Sequence, residues 1–132
     1  MANVPAVPTA LLIADAPWVS NDVRAALSIG SWHVEEINDP HAVGERLEKS
    51  RVDAIIVDMQ VDAMGGMAII RAIRQETDPM TRPRLILLLD RSADEFLAKR
   101  AGADAAVLKP FEPPALRAAL DPALVAPLAE EE

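Results

Sequence analysis

Short apolar runs alternate with segments of helical periodicity along the chain. Three runs are nearly continuous in Ala, Leu, Ile and Val, at residues 10–14, 54–57 and 85–89. Continuous apolar runs of this length are typical of strands buried on both faces of a parallel sheet. Weaker patterns at residues 32–37 and 105–108 predict two further strands. The chain therefore contains five predicted strands.

Helices are predicted after each of these strands. The Asp39-Pro40 pair is a good helix start, Ser92 and Glu95 have the spacing of a capping box, and Gly102 is typical of a helix end. A glycine at position 30 ends the first helix in the same way. The predicted inner faces are Val19, Val23, Ala26 and Leu27 in the first helix, Met67, Ile70 and Ile73 in the third, Phe96, Leu97 and Ala101 in the fourth, and Leu116, Ala119 and Leu120 in the last.

Strands that alternate with helices predict an α/β fold with a parallel sheet and right-handed crossovers. This domain is predicted to span residues 9–121, between a flexible leader at 1–8 and a Pro/Ala/Glu-rich tail at 122–132. The carboxyl ends of parallel strands share one edge, where ligands bind. Asp15, Asp58 and Lys109 each follow or end a predicted strand. We therefore expect these three side chains to converge.

Composition and net charge exclude several kinds of site and disfavour several kinds of partner. The chain has 132 residues, which fits one domain, and a net charge of −8, which opposes contact with nucleic acid or anionic membrane. The absence of cysteine excludes disulfides, thiolate zinc sites and cysteine nucleophiles. No apolar run approaches the roughly 20 residues that a membrane span needs, and no signal peptide is visible. We predict a cytoplasmic protein that contacts neither membrane nor nucleic acid directly.

Carboxylates and a lysine at one sheet edge point to phosphoryl chemistry. Two carboxylates repel each other unless a divalent cation such as Mg²⁺ or an ammonium group lies between them. An acid, a metal and a lysine together support transfer of a phosphoryl group onto the acid. Structural roles are the alternatives: Asp58 as a loop cap, Asp15 as a helix-start acid and Lys109 as a surface lysine. Asp90 also ends a strand, but the cap Ser92 follows it, so we predict a turn role for Asp90.

Three segments together resemble the receiver domain of two-component response regulators, from about residue 9 to 120. Residues 52–58, followed by Met-Gly-Gly-Met at 64–67, look like the phosphoacceptor strand and loop of that family. Residues 101–111, which include Lys109-Pro110, are similar to its last strand. Residues 11–17 look like its first strand and acidic turn. The combination, in this order and spacing, carries the resemblance.

The resemblance implies a flavodoxin-like (βα)5 doubly wound sheet of strand order 2-1-3-4-5. It implies that a histidine kinase or phosphotransfer protein phosphorylates Asp58, and that Lys109 binds the phosphoryl group. Asp15, Asp58 and the backbone of Gln60 are the implied Mg²⁺ ligands, and a cis peptide bond before Pro110 is implied too. Such a domain is a phosphoacceptor rather than an enzyme. Receivers of this kind often pair through the fourth helix, fifth strand and fifth helix.

The metal site departs from the family pattern. The family usually has two adjacent acids after its first strand, whereas Asp15 stands between two alanines. An alignment on Pro17 makes Ala14 the missing acid, and an alignment on the start of the strand makes it Ala16. We favour the first, but either alignment removes one carboxylate. The resemblance therefore implies weaker Mg²⁺ binding than is usual in the family.

The switch residues depart as well. The family has a Ser or Thr at the end of the fourth strand, and this chain has leucine there, either Leu88 or, as we prefer, Leu89. The family's aromatic residue of the fifth strand is replaced by Ala106. A leucine cannot donate a hydrogen bond to a phosphoryl group. The acceptor and the lysine are thus present while both usual switch residues are missing.

Three functions follow from these observations. The first is a receiver phosphorylated on Asp58 with an altered switch. The second is a degenerate receiver that acts as a constitutive docking or dimerisation module. The third is a phosphate-ester hydrolase with a strand-end aspartate. It is the least favoured, because Gln60 stands where such an enzyme has a second acid.

Overall fold

A five-stranded parallel sheet forms the centre of the computed structural model, which describes residues 7–28, 32–61 and 65–121. With the strands numbered along the chain, their order in the sheet is 2-1-3-4-5. The elements are β1 (Thr9–Ile13), α1 (Pro17–Ser28), β2 (His33–Glu36), α2 (Val43–Leu47), β3 (Ala54–Asp58), α3 (Gly66–Glu76), β4 (Arg84–Leu89), α4 (Glu95–Ala101), β5 (Ala105–Leu108) and α5 (Pro113–Leu120). The predicted α/β fold and strand order are confirmed. The helix stop at position 30, the tail and most of the leader lie outside the described residues.

The strand register aligns the carboxyl ends of the central strands. Ile13 at the end of β1 pairs with Val57, and Asp58 at the end of β3 pairs with Leu88 in β4. All pairings are parallel, so these ends lie at the same edge of the sheet. The predicted convergence edge therefore exists, with Asp58 on its middle strand.

Helices cover both faces of the sheet, which explains why β1, β3 and β4 are almost entirely apolar. One face packs on α1 and α5, through the predicted residues Val19, Val23, Ala26, Leu27, Leu116, Ala119 and Leu120. The other face packs on α2, α3 and α4, with Ile69, Ile70 and Ile73 at its centre. The inner faces predicted for α1, α3 and α5 are confirmed, although Met67 is only partly buried.

The predicted inner face of α4 is wrong in part. Phe96 and Leu97 are exposed, whereas Ala101 is buried as predicted and Ala98, which was not predicted, is buried as well. The two alanines let α4 pack closely on the sheet, and the larger apolar side chains beside them face outward. Apolar periodicity alone did not distinguish these neighbouring faces, because all four residues are hydrophobic.

The predicted capping box before α4 is also absent. Ser92 begins a 3-10 turn, Ser92–Asp94, and no side chain caps either this turn or α4. The buried carboxylate of Asp94 instead accepts hydrogen bonds from Arg91, at 3.3 Å from Nε and 3.1 Å from Nη2. An arginine–carboxylate pair thus holds the start of α4 in place of the expected reciprocal cap.

Other local predictions are confirmed. The Asp39 side chain accepts a 3.0 Å hydrogen bond from the His41 N–H at the start of a 3-10 turn that leads into α2. Gly102 ends α4 with a φ of 106°, a conformation that glycine adopts most easily. The Lys109–Pro110 peptide bond is cis. In the part of the chain that the structure describes, no helix is long and apolar enough to cross a membrane.

Aspartates also brace the opposite, amino edge of the sheet. Asp53 precedes β3, and its Oδ2 accepts the Thr9 N–H of β1 at 2.9 Å. Asp104 precedes β5, and its Oδ2 accepts the Leu85 N–H of β4 at 2.8 Å. Each carboxylate therefore satisfies a main-chain donor at the start of the neighbouring strand.

The loop after β3 returns closely against the strand. Gly65 has a φ of 80°, and its N–H donates to the Val61 carbonyl at 2.9 Å. The Gly66 N–H donates to the Met59 carbonyl at 2.9 Å. A Cβ atom on Gly66 would overlap the Asp58 carbonyl oxygen and lie 2.8 Å from the Met59 Cα. Only glycine fits here without moving the backbone that carries Asp58.

We predict that Gly66→Ala lowers the free energy of unfolding by about 2 kcal/mol, since the added methyl group meets backbone that cannot rotate away. Urea unfolding followed by circular dichroism measures the change. Gly44→Ala in α2 is the matched control, because a Cβ there has nothing within 4 Å. The control should be neutral or slightly stabilising, as alanine favours helices over glycine. Equal stability of the two variants would contradict the prediction.

Candidate functional site

Asp58 lies at the carboxyl end of the central strand β3 and is almost fully buried, at 1% exposure. The neighbouring Met59 N–H donates to the Leu88 carbonyl at 2.9 Å, which ties the end of β3 to β4. Gly66 lies directly against the backbone of Asp58 and Met59. A buried carboxylate needs hydrogen-bonding or charged partners, and for Asp58 these are Lys109 and the backbone of Gln60.

Lys109 reaches Asp58 from the residue after β5. Its Nζ forms an ion pair with Asp58 Oδ1, and both side chains are at least 95% buried. The Lys109 main chain is fixed to β4 by a 2.8 Å hydrogen bond from its N–H to the Leu89 carbonyl. The Trp18 ring at the start of α1 lies 5.6 Å from the ammonium nitrogen. The predicted meeting of Asp58 and Lys109 is thus present in the structure.

Asp90 belongs to the same cluster, which the sequence interpretation missed. Its Oδ1 lies 3.0 Å from Lys109 Nζ, and its Oδ2 accepts a 2.9 Å hydrogen bond from Gln60 Nε2. The expected turn role is therefore incomplete, because the side chain is an ion-pair partner of the lysine. The signal was available: β4 lies between β3 and β5, so an acid at its end faces the site.

These contacts close into a ring. The Gln60 backbone N–H hydrogen-bonds to the Asp58 carboxylate. Asp58 pairs with Lys109, Lys109 pairs with Asp90, and Asp90 accepts from the Gln60 side chain. The ring links the β3–α3 loop, the β4–α4 loop and the end of β5. One ammonium group thus serves two carboxylates at the edge of the sheet.

The charges of the ring are coupled. Burial raises the pKa of the Asp58 carboxyl above its ordinary value of 3.8, and the Lys109 ammonium offsets that rise only in part. Burial lowers the pKa of Lys109, but its hydrogen bonds to Asp58 and Asp90 outweigh burial and raise that pKa overall. Lys109 therefore stays charged at neutral pH, held there by the carboxylates it neutralises.

Asp15 lies two residues beyond the end of β1 and is exposed. It lines a shallow depression with Ser20, Glu36 and Asn38, on the side of the edge near β2. Among the residues described, no group of three His, Cys, Asp or Glu side chains is placed to hold a metal ion. Asp15, Asp58 and the Gln60 carbonyl offer two carboxylates and one neutral oxygen. That donor set fits Mg²⁺ in kind, since Mg²⁺ takes few carboxylates and completes its shell with water.

The two positions predicted to be those of the switch residues are apolar and lie on one side of the sheet. Leu89 is 2% exposed and packs in the core beneath α3 and α4. Ala106 pairs with Leu87 in the sheet and packs against the same core cluster. Neither side chain can hydrogen-bond to a group on Asp58. In the part of the chain that the structure describes, the polar groups clustered at Asp58 are those of Lys109, Gln60 and Asp90.

We predict that Lys109→Met lowers the free energy of unfolding by about 3 kcal/mol at pH 7, since two carboxylates lose their shared cation. Because folding raises the pKa of Asp58, protonation of this acid favours the folded state at low pH. That contribution to the free energy of unfolding is lost as pH rises. Removing the lysine raises that pKa further, so the deficit of the variant should shrink as pH falls from 7 towards 4.

Urea unfolding at several pH values tests this prediction. Lys49→Met, at an exposed lysine after α2, is the control for loss of a positive charge. The control should show a small deficit that changes little with pH. A Lys109→Met deficit that is the same at pH 7 and at pH 4 to 5 would contradict the proposed charge coupling.

Comparison with known proteins identifies the family. The family model "Response regulator receiver domain" matches residues 10–121. The transcriptional regulatory protein TrcR of Mycobacterium tuberculosis is 30% identical over 101 residues, which are 76% of this chain and 39% of that protein. The nitrate/nitrite response regulator NarP of Escherichia coli is 30% identical over 113 residues, 83% of this chain and 52% of that protein. The chain thus spans about two fifths to one half of these curated relatives.

Solved structures agree with this assignment. The chemotaxis response regulator CheY4 of Vibrio cholerae has a TM-score of 0.71 at 24% identity, over 85% of this chain and 94% of that one. The receiver domain of a sensor histidine kinase from Pseudomonas aeruginosa PAO1, solved with a magnesium ion coordinated in its active-site cleft, has a TM-score of 0.73. It is 26% identical and covers 87% of this chain and 95% of that one. With a family model that matches nearly the whole described chain, this protein belongs to the response regulator receiver domains of two-component systems.

Proposed function

We propose that this receiver accepts a phosphoryl group on Asp58 from a histidine kinase or a phosphotransfer protein in the cytoplasm. The observation that carries the proposal is the buried ion pair between Asp58 and Lys109 at the carboxyl edge of the sheet. A buried acid that needs a lysine at this edge is costly for the fold alone, and phosphoryl transfer gives it a use. Receiver domains act in signalling, so the hydrolase alternative is not retained.

The proposed reaction forms an acyl phosphate. A carboxylate oxygen of Asp58 attacks the phosphorus of the donor, the bond from phosphorus to the donor's leaving group breaks, and the leaving group departs with that electron pair. With acetyl phosphate as donor, the products are the aspartyl phosphate and acetate. The negative charge that collects on the phosphoryl oxygens is what the site must neutralise.

Lys109 supplies the fixed positive charge for this step. Its backbone is held by β4 and its side chain is enclosed beside Trp18, so the ammonium does not have to be reoriented when the donor arrives. Asp15, Asp58 and the Gln60 carbonyl would hold Mg²⁺. When bound, that ion would neutralise charge on the phosphoryl oxygens. We propose that it binds weakly, because the second acid of the first-strand turn is an alanine.

Acetyl phosphate and Mg²⁺ should add the mass of one phosphoryl group to the intact protein, as measured by mass spectrometry. Asp58→Asn should remove the adduct, because an amide does not form the acyl phosphate. Asp78→Asn is the matched control: it removes one exposed acid near the amino edge of the sheet. Chelation of the metal should slow the labelling. If wild-type protein gains no adduct under any condition, the proposal is wrong.

A second candidate function, constitutive docking, is favoured by one apolar surface. Phe96 and Leu97 of α4 and Leu108 of β5 are large apolar residues with exposures of 42%, 43% and 43%. These residues lie on α4 and β5, two of the three elements through which the family resemblance implies pairing. A second copy of this chain is the proposed partner, held through these elements whether or not Asp58 is phosphorylated.

Under this second candidate, sedimentation velocity should show a dimer without any phosphodonor, and Leu97→Glu should convert it to a monomer because a charge enters an apolar contact. Met80→Glu is the control, since Met80 is an exposed apolar residue near the opposite edge of the sheet. A monomeric wild-type protein at high concentration would exclude constitutive pairing and leave the phosphorylated receiver as the function.

A further inference from the structure

Asp90 has a role that the ordinary receiver chemistry does not account for. Its carboxylate sits 3.0 Å from the Lys109 ammonium, the same group that would bind a phosphoryl group on Asp58. The Gln60 amide fixes the other carboxylate oxygen at 2.9 Å. The lysine is thus already occupied by two anions before any phosphoryl group arrives.

The three charged side chains differ in their exposure to solvent. The side chains of Lys109 and Asp58 are 4% and 2% exposed, whereas that of Asp90 is 33% exposed. Asp90 also follows the last residue of β4 and lies outside the strand itself. If one member of the cluster has to leave, solvent can hydrate Asp90 at least cost.

Phosphorylation changes the charge balance of this cluster. A phosphoryl group carries a charge of about −1.5 to −2 at neutral pH, compared with −1 for the carboxylate it modifies. The single ammonium then faces a more highly charged anion on Asp58 and a second anion on Asp90. The phosphoryl group and the Asp90 carboxylate carry like charges and repel each other. The attraction of Lys109 for the phosphoryl group and this repulsion both favour departure of Asp90 from the lysine.

We propose that Asp90 competes with the phosphoryl group for Lys109, and that phosphorylation of Asp58 displaces Asp90 from the lysine. This inference rests on the proposed phosphorylation of Asp58. In the unphosphorylated domain Asp90 opposes entry of the phosphoryl group. In the phosphorylated domain it is expelled towards solvent and takes the β4–α4 segment with it.

The displacement has a path into α4. Arg91 follows Asp90 directly and pairs with the buried Asp94 at the start of that helix. Gln60 loses its side-chain partner when Asp90 leaves, which also loosens the link between the two loops. Residues 90–95 therefore respond to the charge on Asp58 without a hydroxyl at Leu89 or an aromatic ring at Ala106. The proposed response is the release of the Asp90 carboxylate from Lys109.

The test uses the whole chain, acetyl phosphate and Mg²⁺. Asp90→Asn keeps the size of the side chain and an oxygen for Gln60 but removes the charge. We expect it to be labelled about tenfold faster than wild type, because a negative charge that competes for Lys109 has been removed. Asp90→Ala should also be labelled faster. Asp78→Asn, which changes net charge equally, should be labelled at the wild-type rate.

Hydrogen exchange on the same samples provides the second measurement. Peptides that cover residues 90–95 should exchange faster after phosphorylation of the wild type, and should show little further change on phosphorylation of Asp90→Asn. Equal labelling rates for wild type and Asp90→Asn would overturn the competition, and unchanged exchange in wild type would overturn the displacement. Absence of an adduct from every variant would instead overturn the phosphorylation of Asp58 itself.

Discussion

A single buried ammonium group governs the carboxyl edge of this domain. Lys109 lies between the carboxylates of Asp58 and Asp90, and it is enclosed by Trp18 and the end of β4. An isolated buried carboxylate would be strongly destabilising, so Asp58 can remain at the end of β3 only because the lysine reaches it. The aligned strand ends and the hydrogen bond from the Lys109 N–H to the Leu89 carbonyl bring these groups to one place.

The two predicted switch positions contribute no polar group to this edge. An apolar Leu89 and a small Ala106 leave no hydroxyl or ring to report a change at Asp58. The polar contacts that remain belong to the ring of Asp58, Lys109, Asp90 and Gln60. Among the described residues, polar contacts connect Asp58 with the segment before α4 through Lys109, Asp90 and Gln60.

The fold could be predicted closely because its signals are local. Apolar runs and helical spacing depend on neighbours in sequence, and they placed all five strands and the inner faces of α1, α3 and α5. The prediction for the inner face of α4 failed in part because Phe96, Leu97, Ala98 and Ala101 are all hydrophobic. Only packing against the sheet determines which of them are buried. Asp90 was missed because its local sequence, with Ser92 close behind it, favoured a turn, and only the predicted strand order places the end of β4 between those of β3 and β5.

The two edges of the sheet use aspartate in opposite ways. Asp53 and Asp104 at the amino edge accept main-chain N–H groups that every sequence supplies, so their surroundings persist through most substitutions of neighbouring side chains. Asp58 and Asp90 depend on one replaceable side chain. Substitutions therefore affect the two edges of the sheet unequally. A substitution of Lys109 alone would leave both carboxylates at the carboxyl edge without their shared cation, whereas the two aspartates at the amino edge have separate main-chain donors.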